Sequence, residues 1–146
     1  SFRMDNKIDK KRLLSMLGQI DEYYEELRNI LPGSFKKYQE NYVKRSSERI
    51  TQLLVEICID ITNLLIKELK LGLPDEEDNV FKKLVENNVI SEDLAQKLVQ
   101  MKSFRNILIH RYGEIDNKLA YENISANNKD FLEFKKEILE FLKEQK

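Results

Sequence analysis

Leu13, Leu17, Ile20, Tyr24, Leu27 and Leu31 recur at intervals of 4, 3, 4, 3 and 4, with polar residues between them. That spacing keeps one face of a helix apolar over five turns. Pro32-Gly33-Ser34 ends the run, and Ser34 is placed to cap a second helix. The pattern predicts that helix from about Phe35 to Leu71. Its stripe takes in Phe35, Tyr38, Tyr42, Ile50, Leu53, Ile57, Ile61, Leu64 and Glu68, and its first third is more polar than the rest. The short connection predicts an antiparallel hairpin.

Gly72-Leu73-Pro74 breaks the chain, and Asp75 to Asp78 are four consecutive acids. Acids suit a helix N-terminus, so a short helix is expected at about Glu77 to Glu86, carrying Val80, Phe81 and Leu84 inward. Asn87-Asn88 ends it. Ser91 caps a fourth helix that runs to about Tyr112, with Gly113 at its stop. Asp116 to Asn128 reads as loop or short helical turns. A last helix, about Lys129 to Lys143, presents Phe131, Phe134, Ile138 and Phe141 or Leu142. The expected fold is all-α: one up-and-down bundle of four main helices plus a short one.

Composition narrows this further. Only 4 Gly and 2 Pro occur in 146 residues, too few for the many turns of a β-sandwich or barrel. The hydrophobic share of 41% is too high for a disordered chain. Formal charge is −1, so nucleic acid would have to be held by a local basic patch. Cys58 is the only cysteine and offers no intramolecular disulfide. No apolar run is long enough to span a membrane and no signal-peptide pattern is seen, so a cytoplasmic protein without membrane attachment is expected. Ser1-Phe2-Arg3 reads as a remnant ahead of a native start at Met4, giving a single domain over 4–146.

The fourth helix carries an anomaly. Its stripe is Leu94, Leu98, Met101, Arg105, Leu108 and Tyr112. A guanidinium on a core-facing stripe is costly unless it is paired or faces a cleft. Arg105 can snorkel, or pair with an acid of the first helix such as Glu22 or Glu26. Asn106 and His110, the only histidine, lie four apart and share a face. A lone histidine near a helix end is commonly structural, stabilising the dipole or a carbonyl. Tyr112 can equally be a core residue with a wet hydroxyl.

The segment Arg105-Asn106-Ile107-Leu108-Ile109-His110-Arg111-Tyr112 resembles the R-x4-H-x-Y signature of the HepT-like toxins in the HEPN superfamily. The flanks are similar too, from Phe81–Leu84 and Asn88–Ser91 through Met101–Asn106 to Ile115–Asn117 and Tyr121-Glu122. The likeness extends over roughly residues 8–143, with no departure at the motif positions.

The resemblance implies a homodimeric, metal-independent ribonuclease toxin with Arg105 and His110 as its catalytic pair. It further implies an antitoxin partner, an MNT-type nucleotidyltransferase that attaches AMP to Tyr112. The residue types suit that chemistry. Imidazole can move a proton near neutral pH, and a guanidinium can hold a phosphorane through two hydrogen bonds. Asn106 can orient His110 or hold a phosphate oxygen. No acid or cysteine cluster has metal-ligand spacing, so neither metal nor other cofactor is expected.

Positions 105 and 110 are about 140° apart around one helix. Long side chains could converge on a cleft at the helix end, or a two-fold axis beside the fourth helix could bring the two groups together from two protomers, and that composite site is the preferred arrangement. Lys102 and Arg111 on this helix, with Arg45 and Arg49 on the second, are candidates for binding RNA. Lys97, Lys36, Lys37 and Lys44 add to this set, against Glu40 and Glu48. Tyr23, Tyr38 and Tyr42 could stack on bases, although their helical spacing suits core duty. Two other readings use the same residues: a non-catalytic helical dimer that binds a nucleotidyltransferase or nucleotide, and a structural dimerisation bundle.

Overall fold

The first long helix, α1 (Lys10–Ile30), starts where the Asp9 carboxylate accepts from the Arg12 backbone N–H at 3.0 Å. Its seam is the expected one. Leu13, Leu17, Ile20 and Leu27 are each at most 1% exposed, and each such burial stabilises the fold by roughly 2–3 kcal/mol. This computed structural model describes residues 8–73, 79–110 and 116–145, with His110 described by its backbone alone.

After the Pro32-Gly33 corner, the single long helix expected over 35–71 is two helices. A one-turn α2 (Phe35–Tyr38) begins at Ser34, whose hydroxyl accepts from the Lys37 N–H at 3.4 Å. The chain then breaks at Gln39-Glu40, where Glu40 is extended at φ −63°, ψ 127°, before α3 (Asn41–Glu68) starts. The break has a packing cause. Tyr38 is fully buried while Tyr42, four positions on, is 76% exposed. A continuous helix would place both on one face. Tyr42 is therefore not part of the core stripe.

Along α3 the buried face is Ile50, Leu54, Ile57, Cys58, Ile61 and Leu65. Two buried threonines on it satisfy their hydroxyls within the helix: Thr51 donates to the Ser47 carbonyl and Thr62 to that of Cys58, both at 2.8 Å. The helix closes after Glu68 with Lys70 in the left-handed region, at φ 54°, and a 3.0 Å bond from the Leu71 N–H to the Ile66 carbonyl. That is the geometry of a Schellman end, with lysine where glycine is usual.

The short helix α4 (Lys82–Glu86) starts five residues later than the acids suggest. The acids Asp75 to Asp78, including the expected start at Glu77, lie outside the described residues. Asn88 at φ 59° ends α4, and the Val89 N–H bonds the Leu84 carbonyl at 2.8 Å. The next helix, α5 (Glu92–His110), is capped as expected, the Ser91 hydroxyl accepting from the Leu94 N–H at 3.2 Å.

The segment expected as loop or short helical turns, Asp116 to Asn128, is a regular helix. It forms α6 (Asn117–Asn127), capped by Asp116, whose carboxylate accepts from the N–H groups of Lys118 and Leu119. Ala120 and Ile124 are its buried anchors. The cap residue and the four-residue apolar spacing were both visible in the sequence. A last helix, α7 (Asp130–Glu144), buries Phe131, Phe134, Ile138, Phe141 and Leu142. Lys135 on α7 pairs with Asp21 on α1.

The described residues are helical, without strands, in an up-and-down bundle of α1, α3, α5 and α7 around one apolar core. The short α2, α4 and α6 close its ends. Helix α6 follows α5 after a six-residue link and packs on α2. The C-terminal end of α5 therefore lies at the same end of the bundle as α2 and the start of α3.

Candidate active site

On α5, Leu94, Leu98, Met101 and Leu108 are each at most 2% exposed. The stripe read from the sequence is the buried face, and Arg105 stands on it. Its side chain is half-buried, and Nε is buried without a hydrogen-bond partner. Among the described residues no ion pair joins it to Glu22 or Glu26, both of which are exposed on α1. An unmet guanidinium N–H in low dielectric costs about 1–3 kcal/mol. Such a cost is tolerated where function requires the group.

Asn106 is half-buried one position on. His110 is the last residue of α5. Arg111, Tyr112 and Gly113, and with them the expected helix stop, lie outside the described residues. Ile107 and Ile109 are 58% and 42% exposed, and Leu119 on α6 is 62% exposed. Apolar side chains thus face water along the last described turn of α5 and on α6.

The basic candidates divide. Arg45 and Arg49 are exposed on the first turns of α3, with Arg49 Nη1 donating to Gln52 Oε1 at 3.3 Å. Lys102 is half-buried. Lys97 is engaged by Asp93 at 3.2 Å, which raises its pKa above the usual lysine value through that hydrogen bond and charge. Of the tyrosines, Tyr38 is wholly buried and presents no ring to a base, Tyr23 is half-buried, and Tyr42 is open to solvent.

One residue changes character altogether. Glu48, expected to offset the surface basic groups, is 1% exposed, and the Tyr38 hydroxyl donates to its Oε2 at 3.3 Å. Tyr38 is in turn packed on Tyr121 of α6, with ring centroids 5.1 Å apart. Tyr121 is fixed by its own hydroxyl, which donates to the Pro32 carbonyl at 2.9 Å. A signal for Glu48 was present: Glu48, Val55 and Thr62 are spaced by seven, on one face of α3. No group of three or more His, Cys, Asp or Glu among the described residues is placed to hold a metal ion.

Comparison with known families fits this arrangement. The family model described as Ribonuclease HepT-like matches residues 20–138. The chain belongs to the HepT-like ribonuclease family. Among HepT relatives, an mRNA nuclease HepT of Shewanella oneidensis is 28% identical over 103 residues, 70% of this chain and 77% of the relative. A tRNA nuclease HepT of Aphanizomenon flos-aquae is 25% identical over 113 residues, 77% of this chain and 75% of the relative. In fold, the chain is similar to a tri-AMPylated Shewanella oneidensis HEPN toxin solved in complex with MNT antitoxin. The TM-score is 0.78 at 24% identity, over 86% of this chain and 95% of that one. No helix among the described residues is long and apolar enough to cross a membrane.

Proposed function

We propose that this HepT-like protein is a cytoplasmic endoribonuclease toxin that cleaves RNA at a site shared by two protomers, with Arg105 and His110 as its catalytic pair. The observation that carries this reading is Arg105: a guanidinium on the core stripe of α5, its Nε buried and unmet. A bare core arginine destabilises a bundle. One that receives a phosphate is matched by it.

The proposed chemistry needs two groups. His110, as base, takes the proton from an RNA 2′-OH while that oxygen attacks the adjacent phosphorus. The bond to the 5′ oxygen breaks, and that oxygen takes up a proton from imidazolium or water. The products are a 2′,3′-cyclic phosphate and a free 5′-OH. Arg105 holds the charge that builds on the non-bridging oxygens. Asn106 supports the imidazole or a phosphate oxygen. No step calls for a metal or other cofactor.

The dimer is part of the proposal. The core direction of α5 runs close to position 105, and position 110 lies about 140° away from it. In a straight helix the two side chains diverge, and a second α5 across a two-fold axis lets them converge. Exposed Ile107 and Ile109 supply apolar area for such a contact. Doubling Lys102, Arg111, Arg45 and Arg49 would line the groove with cations for RNA, despite a net charge of −1.

Control follows from the same electrostatics. An MNT-type nucleotidyltransferase antitoxin would transfer AMP to Tyr112, setting a phosphodiester anion beside Arg105 and His110 where the RNA phosphate must sit. The test is direct. Wild-type protein incubated with RNA should yield fragments ending in 2′,3′-cyclic phosphate, and His110→Ala should not, while remaining folded. Equal inertness of the two proteins, together with equal harmlessness on expression, favours the non-catalytic binding module. Incubation with ATP and the antitoxin should add AMP mass at Tyr112, and modification elsewhere overturns that assignment.

A further inference from the structure

Helix α1 has a second face that the described residues leave open. Lys11, Leu14, Gly18, Glu22 and Glu25 follow at intervals of 3, 4, 4 and 3, which keeps them on one side of the helix. That side is turned away from the buried seam of Leu13, Leu17, Ile20 and Leu27. Lys11, Glu22 and Glu25 are exposed, and Leu14 is 50% exposed. Among the described residues, none of the three charged groups has an ion pair.

Gly18 sits in the middle of this face, well inside a 21-residue helix, where glycine is among the poorest residues. A Cβ added there meets nothing within 4 Å, and the backbone is not left-handed. Nothing inside the protomer therefore calls for glycine at this position. The missing side chain leaves a notch in the exposed surface, and Leu14 stands out one turn before it. Knob and hole lie side by side on the same helix.

The charges on this helix are divided along its axis. Lys10 and Lys11 precede Leu14, whereas Glu22, Glu25 and Glu26 follow Gly18. Such a face is complementary to a copy of itself turned by a two-fold axis. Seating Leu14 of each copy in the Gly18 notch of the other puts the axis at position 16. Lys11 then falls within one residue of Glu22 across the contact. A parallel pairing would set like charges side by side. Helices α1 and α5 both pack on α3 and α7, so they occupy opposite corners of the bundle. A contact through α1 leaves the motif helix free.

We propose that the Leu14–Gly18 face of α1 is a docking surface for a second copy of this chain, which binds it through its own α1 in antiparallel orientation. The contact is separate from any pairing through α5, and it holds whether or not the protein cleaves RNA.

The test is assembly mass by sedimentation velocity at micromolar concentration. Lys11→Glu and Glu22→Lys each set like charges against one another across the two-fold axis. Each should weaken self-association by about tenfold or more and halve the mass of the assembly. An equimolar mixture of the two variants brings opposite charges together again and should return to the wild-type mass. Association through α5 is untouched by these changes, so the mass that remains reports it separately. Gly18→Gln fills the notch. It should weaken association likewise while raising the melting temperature, because glutamine is the better helix former and has open space there. Equal mass in wild type and all three variants overturns the inference. Weakened single variants whose mixture stays dissociated overturn the antiparallel pairing. A Gly18→Gln protein with a lowered melting temperature overturns the notch, since the glycine would then serve the protomer itself.

Discussion

Glu137 of α7 accepts two hydrogen bonds from Ser91, one from its backbone N–H at 2.6 Å and one from its hydroxyl at 3.1 Å. Ser91 is the cap of α5, so the helix that carries the motif is anchored at its start by a carboxylate from the next long helix. Removing the cap exposes donors that α5 cannot satisfy. Ser91→Ala should cost about 1 kcal/mol, and Glu137→Ala about 1–2 kcal/mol. Both should appear as lower urea midpoints at unchanged m-value, and a neutral Glu137→Ala would show that the anchor is idle.

One turn before Glu137, Glu133 is held above the usual carboxylate range, chiefly by its hydrogen bond with Glu137 and then by desolvation. A raised folded-state pKa means that the folded protein keeps a proton the unfolded chain releases. The associated stability is present below about 4.5, the ordinary glutamate value, and is lost as pH rises through the higher folded value. Glu133→Gln should therefore gain on wild type in melting temperature as pH rises from about 4 to 7. A difference that does not vary with pH would contradict the raised pKa of Glu133.

Lys70 ends α3 at φ 54°, a conformation that glycine adopts without strain. Lys70→Gly should stabilise the fold by about 0.5–1 kcal/mol, read as a higher melting temperature. A drop in melting temperature would mean that the lysine side chain makes a contribution exceeding the backbone strain.

Much of this architecture was legible because periodicity and caps agreed. The α1 seam, the Ser34 and Ser91 caps and the α5 stripe follow directly from residue spacing. The break at Gln39-Glu40 was not legible. No glycine or proline marks it, and its mark is tertiary: Tyr38 is buried against Tyr121 while Tyr42, four positions on, is exposed. The α6 segment reads as loop or short helical turns because its apolar positions are few, although Asp116 is an ordinary cap. At the site, Arg105 stood out as a cation on an apolar stripe. Glu48 did not, since glutamates near arginines on a polar helix segment usually face water.

Arg105 itself can be tested without reference to the partner protein. Arg105→Ala should reduce RNA cleavage by about a hundredfold or more, and Arg105→Lys should fail to restore it, since an ammonium cannot make the paired contacts of a guanidinium. Neither should lower the melting temperature much, because the buried Nε makes no bond to lose. Full activity in Arg105→Lys would show that charge alone is used.

Pairing two inert variants decides whether one site draws on two protomers. Arg105→Ala and His110→Ala proteins, each inert alone, should be unfolded together, refolded as a mixture and assayed on RNA. With random pairing, half of the dimers are mixed and each holds one intact Arg105–His110 combination, so about a quarter of wild-type activity should return. A mixture as inert as its components, with mixed dimers shown to have formed, would contradict a composite site.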